Sequence, residues 1–234
     1  MNDLPWQFGP GRLSVNSCLP LGDQGALLYL ADEASAWRFA VLVRQANDPW
    51  LVDVVQAYTS VAVFFSLDKT TYAQVMERLR KIWKAGASEG VLPEVRSHRI
   101  PCCYEFQLDL ARVAEHTGIP PEEIIRLHAE REYTVYAIGF CPGFPYLGYL
   151  PPALSGVPRL PAPRLRVEAG SVGLTGRQTG IYTLVRPGGW NLIGRTPLQL
   201  VDVADNYFPV RTGDRVRFER IDEAQFRQMF GERI

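Results

Sequence analysis

The feature that most limits the fold is a segment of 67 residues, 134–200, in which glycine and proline are concentrated. It holds 11 of the chain's 20 glycines and 9 of its 18 prolines. Between them lie short runs rich in β-branched and aromatic residues, YTVYAIGF, SVGLT, GIYTLV and WNLIG, and VRFERI follows at 216–221. Helices do not tolerate this density of breakers, whereas short strands joined by tight turns are typical of closed sheets. The segment therefore predicts a closed or nearly closed β-barrel.

Within it, the stretch AIGFCPGFPYLGYLPP at 137–152 combines breakers with a large aromatic surface. Its four prolines restrict the backbone, so its rings are held with little loss of conformational entropy. The composition alone does not say what this aromatic surface contacts.

The same segment has six arginines, no lysine and a single acidic residue, Glu168, so it carries +5 while the rest of the chain carries −5. Arginine can bind a carboxylate or phosphate through two parallel hydrogen bonds. The arginines therefore indicate an anion site, but a solvated face or an interface with another protein explains their charge equally well. They are Arg159, Arg164, Arg166, Arg177, Arg186 and Arg195.

The N-terminal part has a different character. It reads as strand (ALLYLA), helix (ASAWRFAVLVRQA), strand (LVDVVQAY), strand (SVAVFFSL) and a helix that ends on Gly86. With the strand around VRSHRIPCCYEF, the order becomes β-α-β-β-α-β, which is typical of a ferredoxin-like sandwich of two helices on one antiparallel sheet. We assign no chemistry to this half.

Two short helices are predicted at 109–130, the first capped by Asp109 and ended by Gly118. They do not form a DNA-binding helix-turn-helix, because Glu122 and Glu123 begin the second helix and would face phosphates. The 25 basic and 25 acidic residues cancel, so neither nucleic acid nor an anionic membrane surface is expected as a partner. No membrane span or targeting segment is expected either, and we predict a cytoplasmic protein with four reduced cysteines.

Several catalytic and binding motifs are absent from the sequence. The glycine-rich stretch AGSVGLTGRQTG lacks both the GK[ST] ending of a phosphate loop and the GxGxxG fingerprint, and its glycines fit hairpin turns better. The histidines, at 98, 116 and 128, have no metal-ligand spacing, so no metal site is expected. Cys141 has no neighbouring histidine in sequence, which disfavours a covalent cysteine mechanism.

Four longer motifs occur in order along the chain: GFCPGFPYL, AGSVG, QTGIY and PGGWNLIGRTP. In these motifs, and over nearly its whole length, the chain resembles the B subunit of bacterial ATP-dependent 5-oxoprolinase, the family that includes the histidine-kinase inhibitor KipI. It is also similar to the first half of the carboxyltransferase domain of urea carboxylase and to proteins labelled allophanate hydrolase subunit 1.

This resemblance implies an α+β architecture with a ferredoxin-like domain at 1–95, including an N-terminal extension at 1–20, and a cyclophilin-like β-barrel domain at 96–234. It implies a hetero-oligomer with two partners, a KipA-like barrel protein that is the enzyme's C subunit and a LamB/YcsF-type protein that is its A subunit. The joint reaction it implies is the opening of 5-oxoproline to L-glutamate with ATP and Mg²⁺. The chain contains no biotin-carrier motif, and we expect it to be inactive alone.

The resemblance also implies site residues. Arg195 and Arg164 match positions that the family holds as arginine. Arg195 is expected to be catalytic, with at least a tenfold loss for Arg195→Ala, and Arg164 is expected to bind substrate or an anion. His128 is the candidate general acid or base, although a structural histidine at a helix end is the alternative. The remaining candidates, expected to bind substrate or anions, are Gln178, Thr179, Tyr182 and Asn191.

The resemblance also narrows the role of the aromatic loop. Its side chains Phe144, Tyr146 and Tyr149 are expected to form a rigid wall, either of a ligand groove or of a face that meets the partner barrel. We favour a pocket edge that faces the partner.

Two departures from the family concern the substrate. The stretch PCCYEFQLDL stands where the family has a longer PVCYGGEFGPDL, and Arg177 stands where glycine is common. An allophanate or urea carboxylase-type role therefore stays open, and so does a KipI-like role in which the barrel groove binds a sensor histidine kinase.

Overall fold

The computed structural model describes residues 15–89 and 93–234. The chain divides into two compact units, Met1–Glu94 and Val95–Ile234. The predicted N-terminal extension lies outside the described residues as far as residue 14.

The N-terminal unit is a four-stranded antiparallel sheet with two helices. The strand order is β1-β2-β4-β3. Its elements are β1 Val15–Pro20, β2 Gly25–Leu30, α1 Glu33–Ala46, β3 Leu51–Ala57, β4 Ser60–Phe65 and α2 Tyr72–Glu89.

Local sequence accounts for these elements. Helix α1 begins where the Asp32 carboxylate accepts a hydrogen bond from the Ser35 backbone N–H at 2.7 Å, and it ends at Asn47, which adopts the left-handed conformation. The helices meet through an edge-to-face contact between Phe39 and Trp83, with ring centroids 5.3 Å apart. Alternate residues of the strands and one face of each helix share a single apolar core.

The ferredoxin-like order is not confirmed. The fourth strand of this sheet is β1, which precedes the predicted first strand and forms a hairpin with β2. The strand that we expected to complete the sheet, Ser97–Cys103, lies in the second unit, because Ile100 and Cys102 belong to the barrel core. Helix α2 also continues past Gly86 to Glu89.

The second unit is built around a closed seven-stranded β-barrel, which confirms the barrel prediction. The order is β6-β13-β5-β12-β9-β10-β7, and pairing of β7 with β6 closes it. Its elements are β5 Ser97–Cys103, α3 Leu110–Thr117, α4 Pro121–Glu130, β6 Glu132–Ile138, β7 Pro145–Gly148, β8 Arg164–Val167, β9 Ser171–Thr175, β10 Gln178–Ile181, β11 Arg186–Gly188, β12 Asn191–Arg195, β13 Arg215–Ile221 and α5 Glu223–Gln228.

All adjacent barrel strands are antiparallel except β13 and β5, which run parallel over seven residue pairs. Strands β8 and β11 form a separate two-stranded ribbon. Alternation along β13 turns Val216 and Phe218 into the apolar core.

The glycine-rich stretch at 170–180 forms the hairpin of β9 and β10, as its composition predicts. Gly176 lies in the turn with φ of +55°, a conformation that costs glycine little. The two predicted helices are α3 and α4. Gly118 ends α3 in the left-handed conformation, and Pro121 takes the first position of α4, where its missing N–H leaves no bond unmade.

Candidate functional site

An aromatic groove on the barrel unit is the candidate site. Its cavity volume is about 380 Å³, at the small end of the range for small-molecule sites. The ribbon of β8 and β11 borders it through Pro187 and Gly188. Its walls combine five aromatic side chains with one cation: Phe140, Phe144, Tyr146, Tyr182, Trp190 and Arg159.

A tight loop between β6 and β7 sets the aromatic wall. The backbone N–H of Phe144 donates to the carbonyl of Cys141 at 3.1 Å, and that of Gly139 donates to the carbonyl of Phe144 at 3.2 Å. Phe140 takes a positive φ of 67° within this loop. The result is that Phe144 is 1% exposed, whereas Phe140 is 57% exposed at the rim.

Phe144 is the centre of the aromatic packing. Its ring lies 4.9 Å from that of Tyr146, 5.3 Å from that of Tyr182 and 5.4 Å from that of Trp190, each in an edge-to-face geometry. Such contacts fix ring positions beyond what area burial does. The groove is therefore a preformed surface, which fits the rigid wall that the prolines predict.

Tyr149, the third residue of the predicted wall, does not line the groove. Its ring lies 5.3 Å from that of Tyr136 and 4.1 Å below the guanidinium of Arg177. Arg177 thus stacks on an aromatic ring and does not line the groove.

Arg159 is the one arginine of the predicted anion site that lines this groove. Its side chain is exposed, and among the described residues no carboxylate pairs with it. The flanking backbone is anchored: the Asn191 side-chain amide donates to the carbonyl of Pro158 at 3.0 Å, and Leu160 N–H donates to the carbonyl of Gly189 at 2.8 Å. The loop therefore presents an unpaired cation from a fixed backbone.

Two phenols line the same groove as this cation. Burial raises the pKa of Tyr182 and of Tyr146, and the nearby charge of Arg159 acts in the opposite direction on both. Both hydroxyls therefore remain protonated at neutral pH. The Tyr182 hydroxyl lies against the backbone at Gly188 and, being protonated, can donate to an acceptor in the groove.

Arg164 has a structural partner. Its Nη2 donates to Asp109 Oδ1 at 2.7 Å, and Asp109 Oδ2 accepts from the Leu192 backbone N–H at 2.7 Å. Asp109 therefore does not cap α3 through its side chain, as the sequence predicts, but joins the start of that helix to β8 and β12. Nη1 of Arg164 is buried without a hydrogen-bond partner.

Arg195 lies outside the groove. Its Nε donates to the carbonyl of Ala169 at 3.0 Å, and its guanidinium lies 5.8 Å from the centre of the Phe226 ring. The structure thus gives Arg195 contacts that hold β12, the loop before β9 and α5 together. Arg166 and Arg186 are exposed, the first paired with Glu168 at 2.6 Å.

His128 is fully buried in the barrel interior. Its Nδ1 lies 2.8 Å from the Tyr104 hydroxyl and its Nε2 lies 2.9 Å from Thr179 Oγ1. Thr179 Oγ1 donates to the carbonyl of Gly173 at 3.0 Å, so it accepts from Nε2–H, and the Tyr104 hydroxyl donates to Nδ1.

Burial lowers the pKa of His128 to about 3, so the imidazole is neutral in the folded protein. Because both nitrogens are occupied and no part of the ring reaches solvent, the geometry favours the structural alternative over the general acid or base. Thr179 is equally buried and also structural.

The two remaining candidates are also outside the groove. Asn191 is fully buried: its Oδ1 accepts from Arg112 at 2.8 Å, and its Nδ2 donates to the carbonyls of Pro158 and Leu174. Gln178 is half-buried at the start of β10, opposite Gly148. Of the five predicted substrate-binding or anion-binding residues, only Tyr182 lines the groove.

Sequence reasoning missed Phe140 and Trp190, and it named Arg159 only as one of six equivalent arginines. The glycines of the PGGW motif are a sequence feature that could have indicated part of the groove, since Gly188 lines it. A Cβ at Gly188 would overlap the Tyr182 hydroxyl, so the PGGW motif lets the backbone approach the ring closely.

A larger open groove of about 780 Å³ lies beside α4 and β13. Its charges pair with each other, as Arg220 does with Glu122 at 2.7 Å and Arg126 with Glu123 at 2.6 Å. These exposed pairs leave little net field for a ligand.

Across residues 15–89 and 93–234, no group of three or more His, Cys, Asp or Glu side chains is arranged to hold a metal ion. Within the same ranges, no helix has the length and apolar character needed to cross a membrane.

Comparison with known proteins adds the family. The family described as carboxyltransferase domain, subdomain C and D, matches residues 16–209. A protein of Escherichia coli O157:H7, named as the B subunit of 5-oxoprolinase, is 40% identical over 210 residues, covering 86% of this chain and 94% of that protein. A protein of the same name from Bacillus subtilis (strain 168) is 34% identical over 229 residues, covering 88% and 93%.

The urea carboxylase of Kluyveromyces lactis, at 16% identity, superposes with a TM-score of 0.70 over 93% of this chain and 22% of its own. At that identity the likeness shows a shared fold, mixed α+β with a closed seven-stranded barrel. The sequence matches cover most of the chain and show family membership as well. The chain belongs to the carboxyltransferase domain, subdomain C and D family.

Proposed function

We propose that this chain is the B subunit of a multi-component, ATP-dependent 5-oxoprolinase, which converts 5-oxoproline to L-glutamate. The observation that carries the proposal is the 40% identity to a 5-oxoprolinase B subunit over 94% of that protein. The relatives from Escherichia coli and Bacillus subtilis both carry the name of the enzyme subunit, which supports the enzyme role.

The groove supports a binding role in this reaction. It offers aromatic walls, phenolic donors and an unpaired guanidinium, which suit a small ring compound carrying an anionic group. The groove gains no nucleophile or base from the two candidates in the sequence. His128 is buried in the core, and Cys141 is buried with its Sγ 3.6 Å from the Thr183 hydroxyl. The chain accordingly contributes binding and orientation.

A lactam carbonyl is a weak electrophile, and ATP with Mg²⁺ would supply the phosphoryl group that makes it reactive. The described residues do not fit that role, because they offer no acidic cluster for Mg²⁺ and their glycine-rich stretch is a β-hairpin. We therefore assign the nucleotide to the two partner proteins, one KipA-like and the other of the LamB/YcsF type.

The test is reconstitution. The chain is purified alone and together with its KipA-like and LamB/YcsF-type partners, and glutamate release from 5-oxoproline is followed with and without ATP and Mg²⁺. We expect release only from the assembled complex with both present. Urea and allophanate serve as competing substrates, and preferential turnover of either would replace the proposed substrate. Turnover by the isolated chain, or none by the complex, would contradict the proposal.

A further inference from the structure

We propose that Arg159, together with the Tyr182 hydroxyl, binds the carboxylate of the substrate in the aromatic groove and makes that carboxylate a requirement for recognition. The assignment rests on the proposed function, since it names the part of 5-oxoproline that this chain holds. It assigns to Arg159 the anion-binding role that the resemblance implies for Arg164.

The first argument is charge. Of the six arginines, Arg164 is neutralised by Asp109, Arg166 by Glu168, and Arg177 stacks on Tyr149. Arg159 has no such partner among the described residues and lines a cavity. The groove therefore has a net charge of +1, which one carboxylate balances.

The second argument is the donor arrangement. A carboxylate accepts through two oxygens, and Arg159 offers the fork of N–H groups that matches them. The protonated Tyr182 hydroxyl lines the same groove and can donate to one of the carboxylate oxygens. Tyr182 is 1% exposed and its ring is fixed by Phe144, so this donor is oriented before any ligand binds.

The third argument is that hydrogen bonds fix the backbone on both sides of Arg159. Bonds on both sides of Arg159 tie its loop to the groove: Pro158 to Asn191 and Leu160 to Gly189. Only the side chain must be ordered on binding, and this lowers the entropic cost. Asn191, expected from the family to contact substrate, acts here as a positioning residue.

The flat rings of Tyr146 and Trp190, 5.8 Å apart, leave an apolar wall for the carbon atoms of a five-membered ring. The neutral analogue 2-pyrrolidinone has this ring but no carboxylate, so it keeps the wall contact and loses the charged one. The groove is therefore expected to discriminate strongly between the two compounds.

Kinetics of the assembled complex provide the first measurement. Arg159→Ala is expected to raise the KM for 5-oxoproline at least tenfold while kcat changes less than threefold, because binding is lost equally in the ground and transition states. Arg159→Lys keeps the charge but loses the fork, so its KM should lie between the two. Arg166→Ala removes an equal charge from the same segment outside the groove and is the matched control, with KM unchanged.

The second measurement is ligand-observed saturation-transfer NMR on the full-length chain, which reports binding and does not depend on catalysis. We expect transfer to 5-oxoproline but little to 2-pyrrolidinone in the wild type and in Arg166→Ala, and loss of the 5-oxoproline signal in Arg159→Ala. Should the wild-type complex release no glutamate, the proposed function fails and the NMR comparison alone decides the role of Arg159. The inference is overturned when Arg159→Ala produces neither the rise in KM nor the loss of saturation transfer.

Discussion

The buried imidazole of His128 makes the stability of the barrel depend on pH in a way that can be calculated. Its pKa is lowered to about 3 by burial, whereas an unfolded histidine titrates at about 6.5. Between these values the unfolded chain binds a proton that the folded barrel excludes. Stability is therefore full above about pH 7 and falls as the pH falls toward 3, by at most about 1.4 kcal/mol per pH unit.

Integrated from pH 7.5 to pH 5, this linkage removes about 2 kcal/mol of unfolding free energy. His128→Gln has no such titration. At pH 7.5 the variant should be less stable than the wild type by about 1 to 3 kcal/mol, because the buried Tyr104 hydroxyl loses its acceptor. At pH 5 that difference should shrink by about 2 kcal/mol, since only the wild type carries the protonation penalty.

The assay is urea-dependent hydrogen exchange read by mass spectrometry on peptides from β9 and β10, which reports the barrel separately from the N-terminal unit. His116→Gln, at an exposed position near the end of α3, is the control and should change stability by less than about 0.5 kcal/mol at either pH. A difference between wild type and His128→Gln that is the same at both pH values would refute the linkage. If His128 acted as a general base, the kcat of a complex with folded His128→Gln would fall steeply. We expect that kcat to stay within about threefold of the wild-type value.

Two further pairs of variants test the groove and its support. Arg164→Ala leaves Asp109 buried with one hydrogen bond and should destabilise the barrel by about 1 to 3 kcal/mol in urea unfolding. Arg166→Ala breaks an exposed pair and should leave the unfolding free energy nearly unchanged. Equal losses of unfolding free energy in the two variants would mean that the buried Arg164–Asp109 pair stabilises the barrel no more than an exposed pair does. Gly188→Ala forces a tyrosine ring of the groove to move and should lower both the melting temperature and substrate affinity, whereas at Gly189 a Cβ meets its nearest neighbour at 3.6 Å and the same substitution should be tolerated. Wild-type binding by the Gly188 variant would show that the ring position is not required.

The architecture of the second unit was predictable because its signals are local. Proline and glycine spacing predicted a barrel, and the strands SVGLT and WNLIG occur within one residue of their predicted positions. Gly118 and Pro121 bound two helices as their backbone preferences require. Strand β7 was hidden because it is four residues long and begins at Pro145, inside the aromatic loop.

The site was less predictable because its decisive contacts join distant residues. Nothing local distinguishes Arg164 from Arg159; what separates them is Asp109, 55 positions before Arg164 in the chain. His128 reads as a polar helix-end residue, but Thr179, 51 positions later, completes a buried hydrogen-bond pair with it. The placement of Ser97–Cys103 likewise depends on β13, more than a hundred residues later.

The position of β13 has a consequence for biosynthesis. This strand, Arg215–Ile221, lies between β5 and β6 and pairs with both, so the barrel cannot close until residues 215–221 have left the ribosome. Until then β5 and β6 have unpaired edges, which are sites for association with other chains. The six earlier strands of the barrel therefore remain incompletely paired while the segment between β12 and β13 is synthesised. A nascent chain halted before residue 215 should be captured by chaperones, and a chain cut there should aggregate.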